Sequence, residues 1–441
     1  MKIKINTEIR TRIFALIATG VVMLLLFCAP CLGEPLSLDE CIEMALERNT
    51  SVRLALKDAE IAESQITQAK AEALPSLGLT GEYRRLDEVE TVSFGDQSIE
   101  AGTLDNYSIE ATLSQLIYSG GVVDAGIEAA RYSREYSTLK LKDAERKLVR
   151  SVKTGFYDVI LARETIVVRE ESVEQLARAL EQTQKRFKEG TVSEFDVISS
   201  RVSLANEKPK LISARNQYEV SLETFSNLIK AGEGELELSG SLDELLDRPD
   251  TNINIEAVLD TRPDISALRV QQDLQRQDVR AAKGKLLPRV EATLLYGGAN
   301  SYRFVTYDTE WEWHWNASIS LNWDIWDSNL QRARAREKNL RLSKAVVMLK
   351  DKKEDARLQV RRALLDLEHA AEALEASEGN VALARKGFRI ATARYKEGLT
   401  TLVELKQSSL ALSEARLGRL KSLHEYLVAI ADFEYAAGWS R

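Results

Sequence analysis

Two periodicities alternate along this chain. From about residue 122 to residue 188 there is no proline, and glycine occurs only at Gly126 and Gly155. Within that run Leu148, Val152, Phe156 and Val159 mark a narrow apolar seam at 4-4-3 spacing, flanked by charges. Such a seam predicts a helix that packs side by side with others, as in a coiled coil. One helix of that length would extend on the order of 100 Å, too long and too polar to bury itself in a globule. Elsewhere the period falls to two. Trp315, Ala317, Ile319, Leu321, Trp323 and Ile325 alternate with Asn316, Ser318, Ser320, Asn322 and Asp324. Tyr107, Ile109, Ala111, Leu113 and Ile117 stand likewise against Ser108, Glu110, Thr112 and Ser114. Weaker alternation follows Pro75 (Leu77, Leu79, Tyr83) and Pro288 (Val290, Ala292, Leu294, Tyr296). Four strands, each apolar on one face, are predicted.

The pattern is written twice. Arg186-Phe187-Lys188-Glu189-Gly190 returns 208 residues later as Arg394-Tyr395-Lys396-Glu397-Gly398, and the seam returns as Ala356, Val360, Leu364 and Leu367. Leu74-Pro75 recurs as Leu287-Pro288. Gly190 and Gly398 read as helix C-caps, with Ser193 and Thr401 as N-caps of the helices that return. Pro209 has Leu417 as its counterpart, so a kink is expected in one half only. The expected organisation is a signal peptide at 1–33, a first repeat at 34–230, a partly irregular link at 231–250 and a second repeat at 251–441.

The leader reading rests on Lys2, Lys4, Arg10 and Arg12 ahead of an apolar run from Ile13 to Phe27 and small residues near Gly33. Cys28 and Cys31 fall inside it; lipid attachment at either is the alternative to cleavage after Gly33. Cleavage would leave Cys41 alone and no intrachain disulfide. The chain carries 60 basic and 68 acidic residues, a formal net charge of −8. That balance disfavours nucleic acid, whose phosphates need basic residues. Beyond the leader no apolar run approaches the ~20 residues of a membrane-spanning helix, but a membrane barrel needs none. His314, His369 and His424 lie in three different elements without metal-ligand spacing, and no nucleophile motif appears. No enzyme, cofactor or metal is expected.

Alternating strands also suit a half-buried soluble sheet. The export signal, and aromatics near the strand ends (Tyr107, Trp311, Trp313, Trp315, Trp323, Trp326), favour a barrel wall with lipid outside and water inside. Four strands cannot close a barrel, for which about eight is the lower limit. The barrel is therefore shared between chains. The fold class expected is an α+β membrane protein: a long antiparallel helical coiled-coil barrel plus a transmembrane β-barrel shared between chains, built from two internal repeats.

Leader, duplicated strand–helix–turn–helix unit and Leu-Pro junctions together resemble the TolC-like outer-membrane efflux family. Leu38-Asp39-Glu40-Cys41-Ile42-Glu43-Met44-Ala45-Leu46 followed by Asn49 resembles that family's opening, and Arg262-Pro263-Asp264-Ile265 its second-repeat signature. The resemblance implies a homotrimer with one twelve-stranded barrel in the outer membrane and a helical tunnel across the periplasm. It also implies partners: outer-membrane lipid, a periplasmic adaptor (membrane fusion) protein and an inner-membrane pump. The expected function is the outer-membrane channel of a tripartite efflux or type I secretion system. The alternative from the residues alone is a periplasmic coiled-coil structural or adaptor protein without a pore.

The family closes its tunnel at the helix turns with carboxylates, an arginine and a tyrosine. By that resemblance Asp196 and Glu404 take acidic positions of a periplasmic aperture and Tyr395 the tyrosine. Thr400 stands in place of the arginine and Gln407 in place of a further carboxylate. The turn tips Gly190, Thr191, Gly398 and Leu399 are the expected adaptor contacts. Tyr107, Ile109, Trp315, Ile319 and Trp323 are the expected lipid-facing residues.

Overall fold

A computed structural model describes residues 35–439, except 90, 96, 101, 233–235, 247–248 and 304–307. The expected leader lies outside the described residues. The first copy of the unit runs α1 (Leu38–Arg48), α2 (Thr50–Ala71), β1 (Ser76–Arg85), β2 (Thr91–Phe94), β3 (Gln97–Glu100), β4 (Asp105–Tyr118), α3 (Val122–Lys188) and α4 (Glu194–Ile229). The second runs α5 (Ile255–Thr261), α6 (Pro263–Gly284), β5 (Arg289–Arg303), β6 (Asp308–Asn322), α7 (Leu330–Lys396) and α8 (Leu402–Ala436). Matching elements match in length: α2 and α6 have 22 residues each, α3 and α7 have 67 each. At ~1.5 Å per residue the long pair spans on the order of 100 Å.

The four main strands form one antiparallel sheet in the order β1-β4-β5-β6, with the β2–β3 hairpin apart from it. Helices adjoining the sheet pack in the matching order, α2 on α3, α3 on α6 and α6 on α7. Each strand thus continues a helix of the layer beneath. Backbones come close at the level where they meet: a Cβ added to Gly120 would stand 2.4 Å from the Gly284 carbonyl oxygen, so only glycine fits. Towards the other end α4 and α8 both flank α3, and α8 also packs on α7.

The seam predicted from the sequence is the core. Leu148, Val152, Phe156 and Val159 of α3 are buried with Val360 and Leu367 of α7 and Leu423, Leu427 and Phe433 of α8. Side-chain ties zip α3 to α8 beside it: the ion pairs Lys153–Glu434 at 2.6 Å and Arg150–Asp432, and a hydrogen bond between His424 and Asp158 at 2.7 Å. Pro209 does not end α4, which continues to Ile229. Next to it Glu207 is tied to Arg169 of α3 at 2.8 Å, which holds that stretch in place. Cys41, the single cysteine among the described residues, is buried, and burial pushes its thiol up to about 12.

The link between repeats is irregular and strapped onto the helices. Leu36 bridges to Leu238, Arg163 donates to the carbonyls of Leu238 and Gly240, and Glu164 accepts from the Leu242 amide at 3.0 Å. The second repeat begins on a buried ion pair. Arg262, 1% exposed, donates to both Asp264 carboxylate oxygens (3.0 and 2.9 Å), to the Ala436 carbonyl and to Gln359. The Arg-Pro-Asp signature thereby locks the start of α6 to the end of α8 and to the middle of α7.

Candidate functional site

The sheet sorts its side chains by face. Registered rows run Leu77–Leu113–Leu294–Ala317, Leu79–Ala111–Tyr296–Trp315 and Gly81–Ile109–Gly298–Trp313 across β1, β4, β5 and β6. The neighbouring rows on the opposite face carry Thr80–Glu110–Gly297–His314 and Gly78–Thr112–Leu295–Asn316. Large apolar groups on the first face stay open to solvent, with Trp315 71% and Ile319 75% exposed. Aromatic rings pack along it, Tyr83 on Tyr107 at 5.0 Å and Tyr296 on Trp313 at 5.6 Å. A continuous exposed apolar face of this extent marks a surface made for another phase or partner. Tyr107, Ile109, Trp315 and Ile319 all share it, whereas Trp323 lies just past β6 and donates its indole N–H to the Leu286 carbonyl at 3.1 Å. Trp315 sits midway along β6, which begins earlier than the alternation suggested.

At the far end each long helix closes in a Schellman turn. Gly190 and Gly398 both have φ +74°, and the amides of Thr191 and Leu399 reach back to the carbonyls of Arg186 (3.0 Å) and Arg394 (2.8 Å). The next helices start on the expected caps. Ser193 forms a capping box with Asp196, and Thr401 accepts from the Glu404 amide at 3.2 Å. Gly190, Thr191, Gly398 and Leu399 are all exposed. Asp196 is half-buried and Glu404 exposed, in the first turns of α4 and α8.

Tyr395 is placed differently from a lining residue of the isolated chain. It is 6% exposed, its hydroxyl has no partner, and the Arg186 guanidinium covers its ring 4.6 Å from the centroid. Arg186 and Tyr395 bring the two turns together, a pairing that the sequence reading did not contain. A second tie was also missed: Lys406 of α8 donates to the Ser199 hydroxyl of α4 at 3.1 Å. Burial lowers the Lys406 pKa, and attraction to Asp196 offsets part of that. Further up, Ser409 donates to Gln175 at 3.1 Å and Arg416 pairs with Glu171, fastening α8 to α3. No cluster of metal-ligating side chains occurs among the described residues.

Two repeats of sheet and long helical hairpin, with one lipid-compatible wall, define a channel-type outer-membrane fold. The chain belongs to the outer membrane efflux protein family, which it matches over residues 41–229 and 254–438. It is 22% identical to nodulation protein T of Rhizobium leguminosarum bv. trifolii, over 90% of this chain and 85% of that protein. It is 21% identical to the outer membrane protein TolC of Escherichia coli K12, over 92% and 83%. Among solved structures, the outer membrane channel CmeC of Campylobacter jejuni superposes with a TM-score of 0.79 at 18% identity, over 91% and 85% of the two chains. The protein is therefore an outer-membrane channel component of an efflux or secretion system, not an enzyme.

Proposed function

We propose that three copies of this chain close one barrel in the outer membrane, continuous with a helical tunnel through the periplasm, and conduct substrate passively. One observation carries this reading: a four-stranded sheet with an apolar outer face has both edge strands, β1 and β6, open for pairing. Unpaired edges inside a bilayer are untenable, so copies pair edge to edge until the wall closes. Residues 1–33 direct export. The turn tips at Gly190, Thr191, Gly398 and Leu399 meet a periplasmic adaptor, which links the channel to an inner-membrane pump. Asp196 and Glu404 line the aperture at that end, with Tyr395 packed beneath as its support.

Native mass spectrometry of protein extracted in detergent from the outer-membrane fraction tests this reading. A trimer of chains lacking residues 1–33 is expected. A monomer, or absence from that fraction, would remove the shared barrel. A retained acylated cysteine, Cys28 or Cys31, would replace cleavage after Gly33 by lipid anchoring.

A further inference from the structure

We infer that Lys406 is the cation of the aperture: it pins the first turns of α8 to those of α4 through Ser199 and offsets the acidic charge of Asp196. The inference rests on the aperture reading above. In that reading the chain has two carboxylates per copy and Thr400 where a cation is expected, which leaves an acidic ring without a counter-charge.

The geometry supplies the missing charge from six residues further on, in the opening turns of α8. Lys406 is half-buried between the two return helices, and its Nζ reaches the Ser199 hydroxyl at 3.1 Å. Ser199 lies three residues after Asp196 on α4, the spacing that places both side chains on one face. Asp196 Oδ2 is taken by the Ser193 amide (3.0 Å) and hydroxyl (2.7 Å), which fixes the carboxylate at the head of α4. Attraction to that carboxylate acts on the Lys406 ammonium alongside its bond to Ser199. A hydroxyl is a weaker partner than a carboxylate, so this tie is easier to break than a direct salt bridge. The arrangement suits a closure that contact with another protein can undo. Moving α8 away from α4 would return the ammonium to water and recover the hydration it lacks when shut.

A charge at a narrow aqueous throat also sets ion selectivity. Lys406 brings each copy's contribution from two negative charges to one. Its loss should therefore do two separable things: loosen the closed tip and make the pore more cation-selective.

The test uses the full-length oligomer reconstituted in planar bilayers, with single-channel conductance and reversal potential read in a potassium chloride gradient. Lys406→Met should raise conductance and shift the reversal potential towards cation selectivity. Lys406→Arg should keep the parent's selectivity. Ser199→Ala keeps the charge and removes the tie, so it should raise conductance without moving the reversal potential. Unchanged conductance and selectivity in Lys406→Met would overturn the inference, provided that Asp196→Ala combined with Glu404→Ala alters them. If that double variant is also silent, the aperture reading itself fails. Oligomer recovery in detergent, compared with the parent, shows that each variant has assembled.

Discussion

The Arg186 guanidinium lies 4.6 Å from the ring centroid of Tyr395 and donates to that residue's own carbonyl at 3.4 Å. These residues belong to the two copies of one five-residue motif, so the first repeat's turn grips the second's. The reverse grip is absent: Arg394 instead donates to Leu399 within its own turn at 3.2 Å. A cation over an aromatic face is worth about 0.5–2 kcal/mol, depending on desolvation. Tyr395→Ala should thus loosen the tip and raise closed-state conductance. Tyr395→Phe should leave it near the parent level, because the lost hydroxyl has no partner. A loss in Tyr395→Phe as large as in Tyr395→Ala would mean that the hydroxyl bonds across protomers.

Neighbouring positions on β6 should respond oppositely to charge. Ile319 shares the apolar face, whereas Ser318 shares the other. A lipid-facing arginine costs about 2–4 kcal/mol at the bilayer midplane, whereas a water-facing one is tolerated. Ile319→Arg should sharply reduce the folded oligomer in the outer membrane, while Ser318→Arg assembles and changes conductance. Equal assembly of both variants would argue for a sheet in water.

Acid stability should depend on the Arg262–Asp264 pair. Burial pushes the Asp264 carboxyl up, but the bonds from Arg262 and Lys352 outweigh it and hold the pKa at about 2. A carboxylate whose folded pKa is depressed stabilises the fold fully above its unfolded value of about 3.9, and that stability is lost as pH falls towards 2. The shift corresponds to about 2 kcal/mol. Asp264→Ala strands a buried guanidinium, a loss of about 3–5 kcal/mol. Its melting temperature at about pH 7 should drop, and its further loss between about pH 4 and pH 2 should be smaller than the parent's.

The turn glycines isolate a backbone effect. A Cβ at Gly190 or Gly398 would meet nothing within 4 Å, so alanine there suffers only the left-handed φ. That penalty is about 1–2 kcal/mol per site. Gly190→Ala with Gly398→Ala should preserve the trimer and its barrel but weaken binding of the cognate adaptor, measurable with the purified pair.

The helices, the sheet and the duplication were legible in the sequence because each is written in a local period: 3.6 for the seam through Val152 and Phe156, two for Ala317 to Leu321. What stayed hidden depends on how separate hairpins dock. Lys406 and Ser199 are 207 residues apart, and no local pattern joins them. Arg186 stood in the sequence only as part of a repeated motif, and its place over the Tyr395 ring depends on how the two turns dock. The β2–β3 hairpin escaped notice because two four-residue strands are too short to establish alternation. Arg262-Pro263-Asp264 stood out as a signature, but its role as a buried clasp needed the middle of α7 and the end of α8 beside it.

The one-to-one succession of strands and helices fixes the slant of the wall. Four staves per chain pass from helix to strand in the same order, so both sections of the duct have equal stave counts. Packed helices stand ~8–10 Å apart, but upright strands only ~4.8 Å. Equal counts of unequal staves cannot share one girth while both stand upright. The strands have to lean steeply, widening the perimeter that each one fills. The chain turns through that change of slope at Pro75, Gly120-Gly121, Pro288 and Ser328-Asn329, where residues of fixed or left-handed φ replace regular helix and strand.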